Sequence, residues 1–334
     1  MDVEKFLVIG SNSFSGAYFV RHVLLNHANA RVVGISRSDE LPIPMRAYHE
    51  VNTNNNFQFH QLDLNQDFDK VQALIDFEQP EYIVNFAAQG MVGQSWANPG
   101  EWFATNTIAI MNLANFLKDK KFLKRYVHVS SPEVYGSCVG KILENHPLSP
   151  TTPYAASKAG GDLSLMPFIK AFNLPVIYTR ATNVYGPWQQ LYRIIPRTML
   201  NLTMGKKLNL DGGGKAQKSF IHIDDVCSAT LKLALHGTNG EIYHISPDAS
   251  PISIHDLVLN ICEMFGKDFS DSVTFSPERL GQDACYEIDS SKIRQELGWK
   301  PTVNLLDGLF EVKTWILDNF EQLKQLPLEY VHKA

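Results

Sequence analysis

The stretch that decides the fold is Lys5-Phe6-Leu7-Val8-Ile9-Gly10-Ser11-Asn12-Ser13-Phe14-Ser15-Gly16. An apolar strand leads into a turn with a glycine at each end, and apolar residues then recur at helical spacing from Phe19 to Leu24. Strand, glycine turn and helix in this order place the pyrophosphate of a dinucleotide on the amino terminus of the helix. The sequence therefore predicts a dinucleotide-binding α/β domain, with cofactor contacts from Gly10, Ser13, Phe14, Ser15 and Gly16.

This turn departs from the usual Gly-x-x-Gly-x-x-Gly spacing at its middle position, which is Ser13. A side chain there keeps the backbone farther from the phosphates than a glycine does. We therefore expect the loop to approach the pyrophosphate less closely at Ser13. An ordinary tight turn between strand and helix is the alternative interpretation.

A second predicted strand, Arg31-Val32-Val33-Gly34-Ile35, ends in Ser36-Arg37-Ser38. NAD-binding chains usually carry an acidic residue at this point, which binds the ribose hydroxyls. A carboxylate would repel a 2′-phosphate, whereas the Ser36 hydroxyl and the Arg37 guanidinium favour one. The sequence therefore predicts NADP rather than NAD, with a solvated surface charge as the alternative interpretation of Arg37.

Two further predicted strands, 57–62 and 82–86, end in small or polar residues. A carboxylate after the first of them can reach an adenine amino group, and small side chains after the second can lie against a cofactor. The remaining predicted cofactor contacts are Asp63, Leu64, Ala87, Ala88 and Gln89.

Two segments carry the chemistry. The apolar run 126–129 predicts a buried strand that ends at Ser130-Ser131-Pro132-Glu133, at the sheet edge where open α/β folds bind their ligands. Tyr154 and Lys158 follow Pro153 with the spacing of one helix face. Lowering a phenol pKa from ~10 to ~7 needs about 4 kcal/mol, which a nearby cation and an oxidised nicotinamide can supply. The pattern predicts a tyrosine base, and a solvated surface pair is the alternative.

Length and composition limit the kind of protein that this chain can be. The chain has 334 residues and a net charge of −5, so it is long enough for two lobes and lacks the basic balance of a nucleic-acid-binding protein. We expect an NADP-binding domain over 1–187, to which parts of 218–250 return, and a substrate lobe over 188–334. Four cysteines without paired spacing predict reduced thiols and no metal site. No apolar stretch approaches ~20 residues, so we expect a cytoplasmic protein that does not enter a membrane.

Several of these motifs together resemble the extended short-chain dehydrogenase/reductase family, and the resemblance covers nearly the whole chain. They are the first glycine turn, Asp63-Leu64, Ala87-Ala88-Gln89, the Ser131/Tyr154/Lys158 set and Asn183-Val184-Tyr185-Gly186-Pro187. The resemblance implies a Rossmann-type doubly wound parallel sheet with a smaller mixed α/β carboxyl-terminal lobe for the substrate. Within the family the chain is most similar to nucleotide-sugar 4,6-dehydratases, because Glu133 occupies the position of their glutamate, where 4-epimerases typically have serine or alanine.

The resemblance also implies roles for these residues. Tyr154 would remove the proton from the hydroxyl at sugar carbon 4, Ser131 would hydrogen-bond the same oxygen, and Glu133 would remove the proton at carbon 5. Lys158 would lower the pKa of the tyrosine and hold the nicotinamide ribose, so Tyr154 and Lys158 are also predicted cofactor contacts. The implied contacts of the nucleotide diphosphate sugar are Asn183, Arg193, Lys218 and Arg279. The segments 34–38 and 87–96 resemble GDP-mannose dehydratases, which favours a GDP-linked hexose or N-acetylhexosamine, whereas 195–222 is more similar to dTDP-glucose dehydratases.

Alternatives stay open for the function and for one proton. A 4-epimerase needs Tyr154, Lys158 and Ser131 but no base at carbon 5, and a redox-sensing regulator would bind the dinucleotide without chemistry. Pro132 stands where dTDP-glucose dehydratases place an aspartic acid that protonates the leaving hydroxyl. Either Glu133 serves twice, or a water or a neighbouring tyrosine, Tyr135, supplies that proton.

Two predicted helices, Thr107 to Leu117 and Tyr154 to about Phe172, carry more apolar residues than one core-facing stripe requires. The resemblance implies that they pair with their copies in a homodimer, as a four-helix bundle; packing within the subunit is the alternative. Asn106, just before the first helix, matches a family asparagine or is a plain cap. We also expect a loop over 183–187, one strand over 218–223 and a helix from Val226 to Leu235 that Asp224 and Asp225 cap.

Overall fold

The computed structural model describes residues 4–52, 55–138, 140–277 and 287–332. The strands are β1 (Lys5–Ile9), β2 (Arg31–Ser36), β3 (Phe57–Gln61), β4 (Tyr82–Asn85), β5 (Arg125–Val129), β6 (Lys141–Ile142), β7 (Val176–Ala181), β8 (Asn183–Tyr185), β9 (Leu208–Asp211), β10 (Gln217–Lys218), β11 (Phe220–His222), β12 (Ile242–Ile245), β13 (Ile252–Ser253), β14 (Val273–Ser276) and β15 (Glu287–Ile288).

The helices are α1 (Phe14–Asn26), α2 (Phe68–Glu78), α3 (Pro99–Phe103), α4 (Ala109–Leu117), α5 (Pro153–Phe172), α6 (Ile194–Thr203), α7 (Ile223–His236), α8 (Ile254–Met264), α9 (Phe269–Ser272), α10 (Ser291–Leu297), α11 (Leu305–Asp318) and α12 (Phe320–Leu323). A π-helical turn, Ala104–Ile108, joins α3 to α4, and a 3₁₀ turn, Pro132–Tyr135, follows β5.

Seven parallel strands form the central sheet in the order β12-β7-β5-β4-β1-β2-β3. The chain reverses its direction of winding between β1 and β4, and ligands of open α/β sheets bind beside the carboxyl ends of the strands at that point. Both faces of the sheet are covered, which is why β1 is apolar on both sides, with Phe6, Leu7, Val8 and Ile9 at most 1% exposed. The predicted doubly wound fold is confirmed.

Two apolar layers flank the sheet, and a third core lies in the second half of the chain. Phe19 of α1 and Cys227 of α7 pack on one face of the sheet, while Leu113 of α4 and Leu165 of α5 pack on the other. The third core is built from α6, α8 and α11, together with Met45 from the loop after β2. The smaller mixed lobe therefore has a core of its own. Its predicted boundary at residue 187 stays a prediction.

Three local predictions were wrong. Residues 183–185 form strand β8 rather than a loop, because they pair with β11. The predicted strand 218–223 is two short strands, since β10 pairs with β13 and the chain changes partner at Ser219. Helix α7 starts at Ile223 instead of Val226, because His222 caps it, which leaves Asp224 and Asp225 in the first turn, where the helix dipole favours carboxylates.

The helix predicted from Tyr154 to about Phe172 is confirmed as α5, and its start one residue earlier, at Pro153, has a local cause. Thr152 is the N-cap and its hydroxyl accepts a hydrogen bond from the amide of Ala155 at 3.1 Å, while Pro153 occupies the first helical position. Within the described ranges, every helix is too short or too polar to cross a bilayer.

Candidate active site

The glycine turn after β1 packs tightly against the end of β4. Gly10 has a φ of +81°, and a Cβ on it would lie 2.6 Å from the amide nitrogen of Ala87. A Cβ on Gly16 would lie 2.2 Å from the carbonyl oxygen of Gly10. Only glycine fits at both positions, so the amides at the start of α1 stay open to an anion. Ser13 caps α1, because its hydroxyl accepts a hydrogen bond from the amide of Gly16 at 3.0 Å.

The side chains predicted to hold the adenosine end of the cofactor meet at one rim of the sheet. The Arg37 guanidinium donates to the side-chain oxygen of Gln89 at 3.4 Å, which joins the ends of β2 and β4. Ser36 lies at the end of β2, where its hydroxyl accepts a hydrogen bond from the amide of Asn12 at 2.9 Å. Asp63, after β3, uses one carboxylate oxygen to accept from the amide of Asn65 at 2.6 Å.

Asn106 is not a helix cap but lies buried in the π-helical turn before α4. Its side-chain oxygen accepts from the amide of Gln89 at 2.9 Å, and its amide group donates to the Gln89 carbonyl at 3.0 Å and to the Ser157 hydroxyl at 2.9 Å. The Ser157 hydroxyl in turn donates to the carbonyl of Tyr154 at 2.7 Å. One asparagine thus joins the loop after β4 to the helix that carries Tyr154.

The four predicted catalytic residues lie together where β5 meets α5. Ser131 caps the 3₁₀ turn that carries Glu133, with its hydroxyl 3.2 Å from the amide of Glu133, and the same hydroxyl is hydrogen-bonded to Tyr154. The Lys158 ammonium, 2% exposed, donates to the carbonyl of Val129 at 2.8 Å. The arrangement brings a phenol, a hydroxyl and a carboxylate together, with the ammonium held at the end of β5, which suits proton transfer at two neighbouring atoms.

Burial determines the protonation of the pair on α5. Burial raises the pKa of Tyr154, and the negative charge of Glu133 raises it further, while the Ser131 hydrogen bond and the charge of Arg193 lower it. Burial lowers the pKa of Lys158 to about 8, against the charge of Asp162, which raises it. The cation that acts on the phenol here is Arg193. The prediction that Lys158 lowers the tyrosine pKa stays a prediction.

A buried ion pair behind the four residues escaped the sequence analysis. Asp162 lies one helical turn after Lys158 on α5, and its Oδ2 accepts from the Arg180 guanidinium at 2.7 Å and from the Ser130 hydroxyl at 2.7 Å. The His128 ring lies 3.3 Å from the other oxygen. The side chains of Asp162 and Arg180 are 5% and 2% exposed.

Electrostatics keep this carboxyl charged. Burial by itself would raise the pKa of Asp162, but the His128 ring, the Arg180 charge and the Lys158 charge together lower it to about 2. A charged residue in the middle of an apolar helix face, four residues after the lysine predicted to be catalytic, was the available signal in the sequence.

The same arginine holds the turn that carries Glu133. The Arg180 guanidinium donates to the hydroxyl of Tyr135, which also lies 2.7 Å from Nε2 of His244. Tyr135 is 1% exposed and ends the 3₁₀ turn after Ser131. Asp162 and Arg180 therefore connect the segments that carry Lys158 and Glu133.

The predicted substrate contacts are only partly brought together. Arg193 is the N-cap residue of α6, its guanidinium lies 5.5 Å from the ring centre of Tyr192, and its charge reaches Tyr154. Asn183 and Lys218 lie on adjoining segments, since the Asn183 amide donates to the carbonyl of Ser219 at 2.9 Å. Arg279 lies outside the described residues.

Comparisons with known proteins agree with this geometry. A family model described as GDP-mannose 4,6 dehydratase matches residues 7–312. The dTDP-glucose 4,6-dehydratase of Neisseria meningitidis serogroup B is 30% identical over 342 residues, which cover 95% of this chain and 94% of the relative. That of Streptomyces niveus is 36% identical over 240 residues, 71% of this chain and 70% of the relative.

Solved structures extend the comparison to three dimensions. A dTDP-glucose 4,6-dehydratase from Streptomyces venezuelae, solved with NAD bound, superposes with a TM-score of 0.86 at 32% identity and covers 95% of this chain and 98% of its own. A UDP-glucuronic acid 4-epimerase from Bacillus cereus, solved with UDP-glucuronic acid and NAD, reaches 0.85 at 26% identity, with 94% and 99% covered. The chain therefore belongs to the GDP-mannose 4,6-dehydratase family, the nucleotide-sugar 4,6-dehydratases among the extended short-chain dehydrogenases/reductases.

Proposed function

We propose that this protein converts a nucleoside diphosphate hexose to the 4-keto-6-deoxy sugar, with the dinucleotide held on the glycine turn before α1. The observation that carries the proposal is a carboxylate, Glu133, whose charge acts on the Tyr154 phenol and which lies on the turn that Ser131 caps. A 4-epimerase needs no base besides the phenol, whereas an elimination needs a second base one atom farther along the sugar.

The residues divide the work as follows. When bound, the nicotinamide supplies the acceptor and later the donor of a hydride. Tyr154 takes the proton of the hydroxyl at carbon 4, and Ser131 holds the same oxygen. The resulting ketone acidifies the proton at carbon 5, which Glu133 removes; the bond between carbon 6 and its oxygen then breaks, and the oxygen leaves as water together with that proton. Lys158 would hold the nicotinamide ribose. The hydride returns to carbon 6 and the proton held by Tyr154 returns to carbon 5, so no cofactor is consumed overall.

The acid that protonates the leaving hydroxyl is Glu133 itself in this proposal. Pro132 is buried and has neither a side-chain proton nor a backbone N–H to give. The hydroxyl of Tyr135 is engaged by Arg180 and His244 and is buried, which argues against its use as the acid. Glu133, once it has taken the carbon 5 proton, can hand it to the hydroxyl on the same side of the sugar.

The decisive experiment is Glu133→Gln, followed by the exchange of the carbon 5 proton with deuterated solvent. We expect loss of both exchange and water release, with at most oxidation at carbon 4 remaining. A variant that still exchanges this proton would rule out Glu133 as the base. Unchanged 4-epimerisation by the same variant would favour the epimerase alternative, which is the activity of the similar Bacillus cereus protein.

For the cofactor we propose NADP. Strand β2 ends at Ser36 and Arg37 follows it, so neither residue is the carboxylate that would repel a 2′-phosphate. A guanidinium on a 2′-phosphate is worth about 1.5–3 kcal/mol, or roughly ten- to a hundredfold in affinity. NAD is the competing candidate, because it is the cofactor bound in the Streptomyces venezuelae and Bacillus cereus structures. Calorimetric titration should show NADP binding more tightly, with the preference lost in Arg37→Ala. Equal binding of the two cofactors to the parent protein would overturn the proposal.

For the substrate we propose a GDP-linked hexose or N-acetylhexosamine, which the resemblance of segments 34–38 and 87–96 favours. The names of the bacterial relatives favour a dTDP-hexose instead. A thermal-shift panel of GDP, dTDP and UDP separates the two, since a diphosphate at a hundred times its dissociation constant adds about 2.7 kcal/mol of stability. The GDP proposal fails if dTDP or UDP stabilises the protein more.

We further propose a homodimer through α4 and α5. These helices and the turn before α4 expose large apolar side chains, among them Ile108, Met111, Leu163 and Met166, each between 39% and 54% exposed. Such a continuous apolar face usually marks an interface. Leu163→Glu should turn a dimer into a monomer in light scattering, whereas Leu25→Glu, at a similarly exposed position on α1, should not. A monomeric parent protein would refute the dimer.

A further inference from the structure

The segment 327–332 crosses from the substrate lobe to the dinucleotide half of the molecule. At its start, Leu328 packs against the third core. The Glu329 carboxylate then accepts from the Arg197 guanidinium of α6 at 3.2 Å. The ring centre of Tyr330 lies 5.4 Å from that of Tyr192, with the rings nearly perpendicular. This end of the segment is thus held by residues around the start of α6.

The other end of the segment 327–332 is attached to α3, in the dinucleotide-binding half of the molecule. Nε2 of His332 lies 2.5 Å from the carboxylate of Glu101. The same ring stacks on Trp102, with centres 5.1 Å apart and planes 5° from parallel. Trp102 is fully buried, so the stack rests on a rigid surface. Helix α3 leads directly into the π-helical turn whose Asn106 holds Gln89, a predicted cofactor contact.

Between the two ends, Tyr330 lies within electrostatic reach of both ends of the cleft. Burial raises the pKa of its phenol, and the charges of Arg37 and Arg193 oppose that effect. Arg37 is the proposed contact of the adenosine ribose, and the charge of Arg193 lowers the pKa of Tyr154 at the proposed catalytic end of the site. The Tyr330 hydroxyl is 3.2 Å from Nδ1 of His332. The segment therefore joins the start of α6 in the substrate lobe to the helix that leads into the Asn106 turn beside a predicted cofactor contact, Gln89.

We propose that residues 327–332 are a strap over the dinucleotide cleft, fastened by His332 to Glu101 and Trp102, and that the strap retains the cofactor between turnovers. This inference rests on the proposed function, because a cycle that returns its hydride gains from a cofactor that stays bound. Tyr330, the middle of the strap, is then a contact of the bound dinucleotide between Arg37 and Arg193.

The test is the rate at which reduced dinucleotide leaves the protein. Full-length protein loaded with NADPH, and separately with NADH, is chased with excess oxidised cofactor while the nicotinamide fluorescence is followed. We expect His332→Ala to release the dinucleotide about tenfold faster, because a charge-assisted hydrogen bond and a ring stack together are worth at least one power of ten. Glu101→Gln should show a smaller increase, since it keeps the ring stack.

The matched control is Val331→Ala, in the same segment, where the side chain is 64% exposed. It should release the dinucleotide at the parent rate, and the melting temperatures of all three variants should match that of the parent. A His332→Ala variant that folds normally and releases both dinucleotides at the parent rate would overturn the strap. A parent protein that binds neither dinucleotide would instead refute the proposed function, so the two failures are distinct.

Discussion

Replacing Asp162 by asparagine tests the buried ion pair behind the predicted catalytic residues. Asparagine keeps the shape of the side chain but loses the charge that faces Arg180 at 2.7 Å, where both partners are almost completely buried. Breaking a buried pair by removing one partner typically costs about 3–5 kcal/mol, since the other charge stays buried without compensation. The depression of the Asp162 pKa from 3.8 to about 2 corresponds to about 2.5 kcal/mol. We therefore expect a loss of about 2–4 kcal/mol in the free energy of unfolding.

The pH dependence has a definite sign. The folded-state pKa of Asp162 is below its unfolded value, so the stabilisation is complete above pH ~4 and is lost as the pH falls towards 2. Urea unfolding of the parent protein and of Asp162→Asn should therefore show a full difference at neutral pH, and that difference should shrink below pH ~4. Asp76→Asn is the control, because its ion pair with Lys120 lies at the surface with the carboxylate half exposed, and its unfolding midpoint should stay close to that of the parent.

The same variant should alter the pH–rate profile. The charge of Asp162 raises the pKa of Lys158, and Arg180 lowers it, so removal of the carboxylate leaves the lowering influence unopposed. The alkaline limb that reports Lys158 should then move to a lower pH than in the parent enzyme. A folded Asp162→Asn protein with unchanged urea midpoint and unchanged pH–rate profile would refute both the energetic and the electrostatic argument.

Three further variants test other parts of the site. Gly16→Ala should reduce dinucleotide affinity at least about tenfold in calorimetry, because its Cβ would lie 2.2 Å from the Gly10 carbonyl, whereas Gly93→Ala, with open space around it, should bind normally. Asn106→Ala should lower the unfolding free energy by about 1–3 kcal/mol in urea, since it removes the buried hydrogen bonds that the side chain makes with the Gln89 backbone and the Ser157 hydroxyl. Pro132→Asp should be folded and show an equal or higher elimination rate in single-turnover measurements; a large loss would indicate that the rigid turn matters more than an added acid.

Features that depend on local spacing could be predicted from the sequence. The strand, glycine turn and helix over 5–26 follow from apolar periodicity and from two glycines that no other residue can replace. The placement of Tyr154 and Lys158 four residues apart on one helix follows from their spacing and from the cap at Thr152. In each case the interacting groups lie within a few turns of one another in the chain, so the pattern itself contains the geometry.

Short segments that depend on a distant partner could not be predicted. Residues 183–185 became a strand only because β11 lies beside them, and the chain from 217 to 222 changes partner in the middle. Neither segment has enough residues for a periodic signal, and both lie where hydrogen bonding to another segment decides the conformation. Helix α7 was predicted to start three residues too late because histidine is an unusual N-cap, and the two aspartates after it looked like better candidates.

The residues that the sequence analysis missed share one property, which is that their partners are far away in the chain. Arg180 lies 18 residues from Asp162 and 45 from Tyr135, and His332 lies 231 residues from Glu101. A charged residue inside an apolar pattern signals that a partner exists but does not identify it, because the fold alone decides which strand end or helix end lies opposite. The proposed chemistry requires a fixed geometry between the segments that these contacts join. The Asp162–Arg180 pair joins the segments that carry Lys158 and Glu133, and the His332–Glu101 contact fastens the proposed strap across the dinucleotide cleft. Long-range polar contacts that join functional segments are therefore where a structure adds most to a sequence, and where substitutions far from the reacting atoms should change pH profiles and release rates rather than abolish activity.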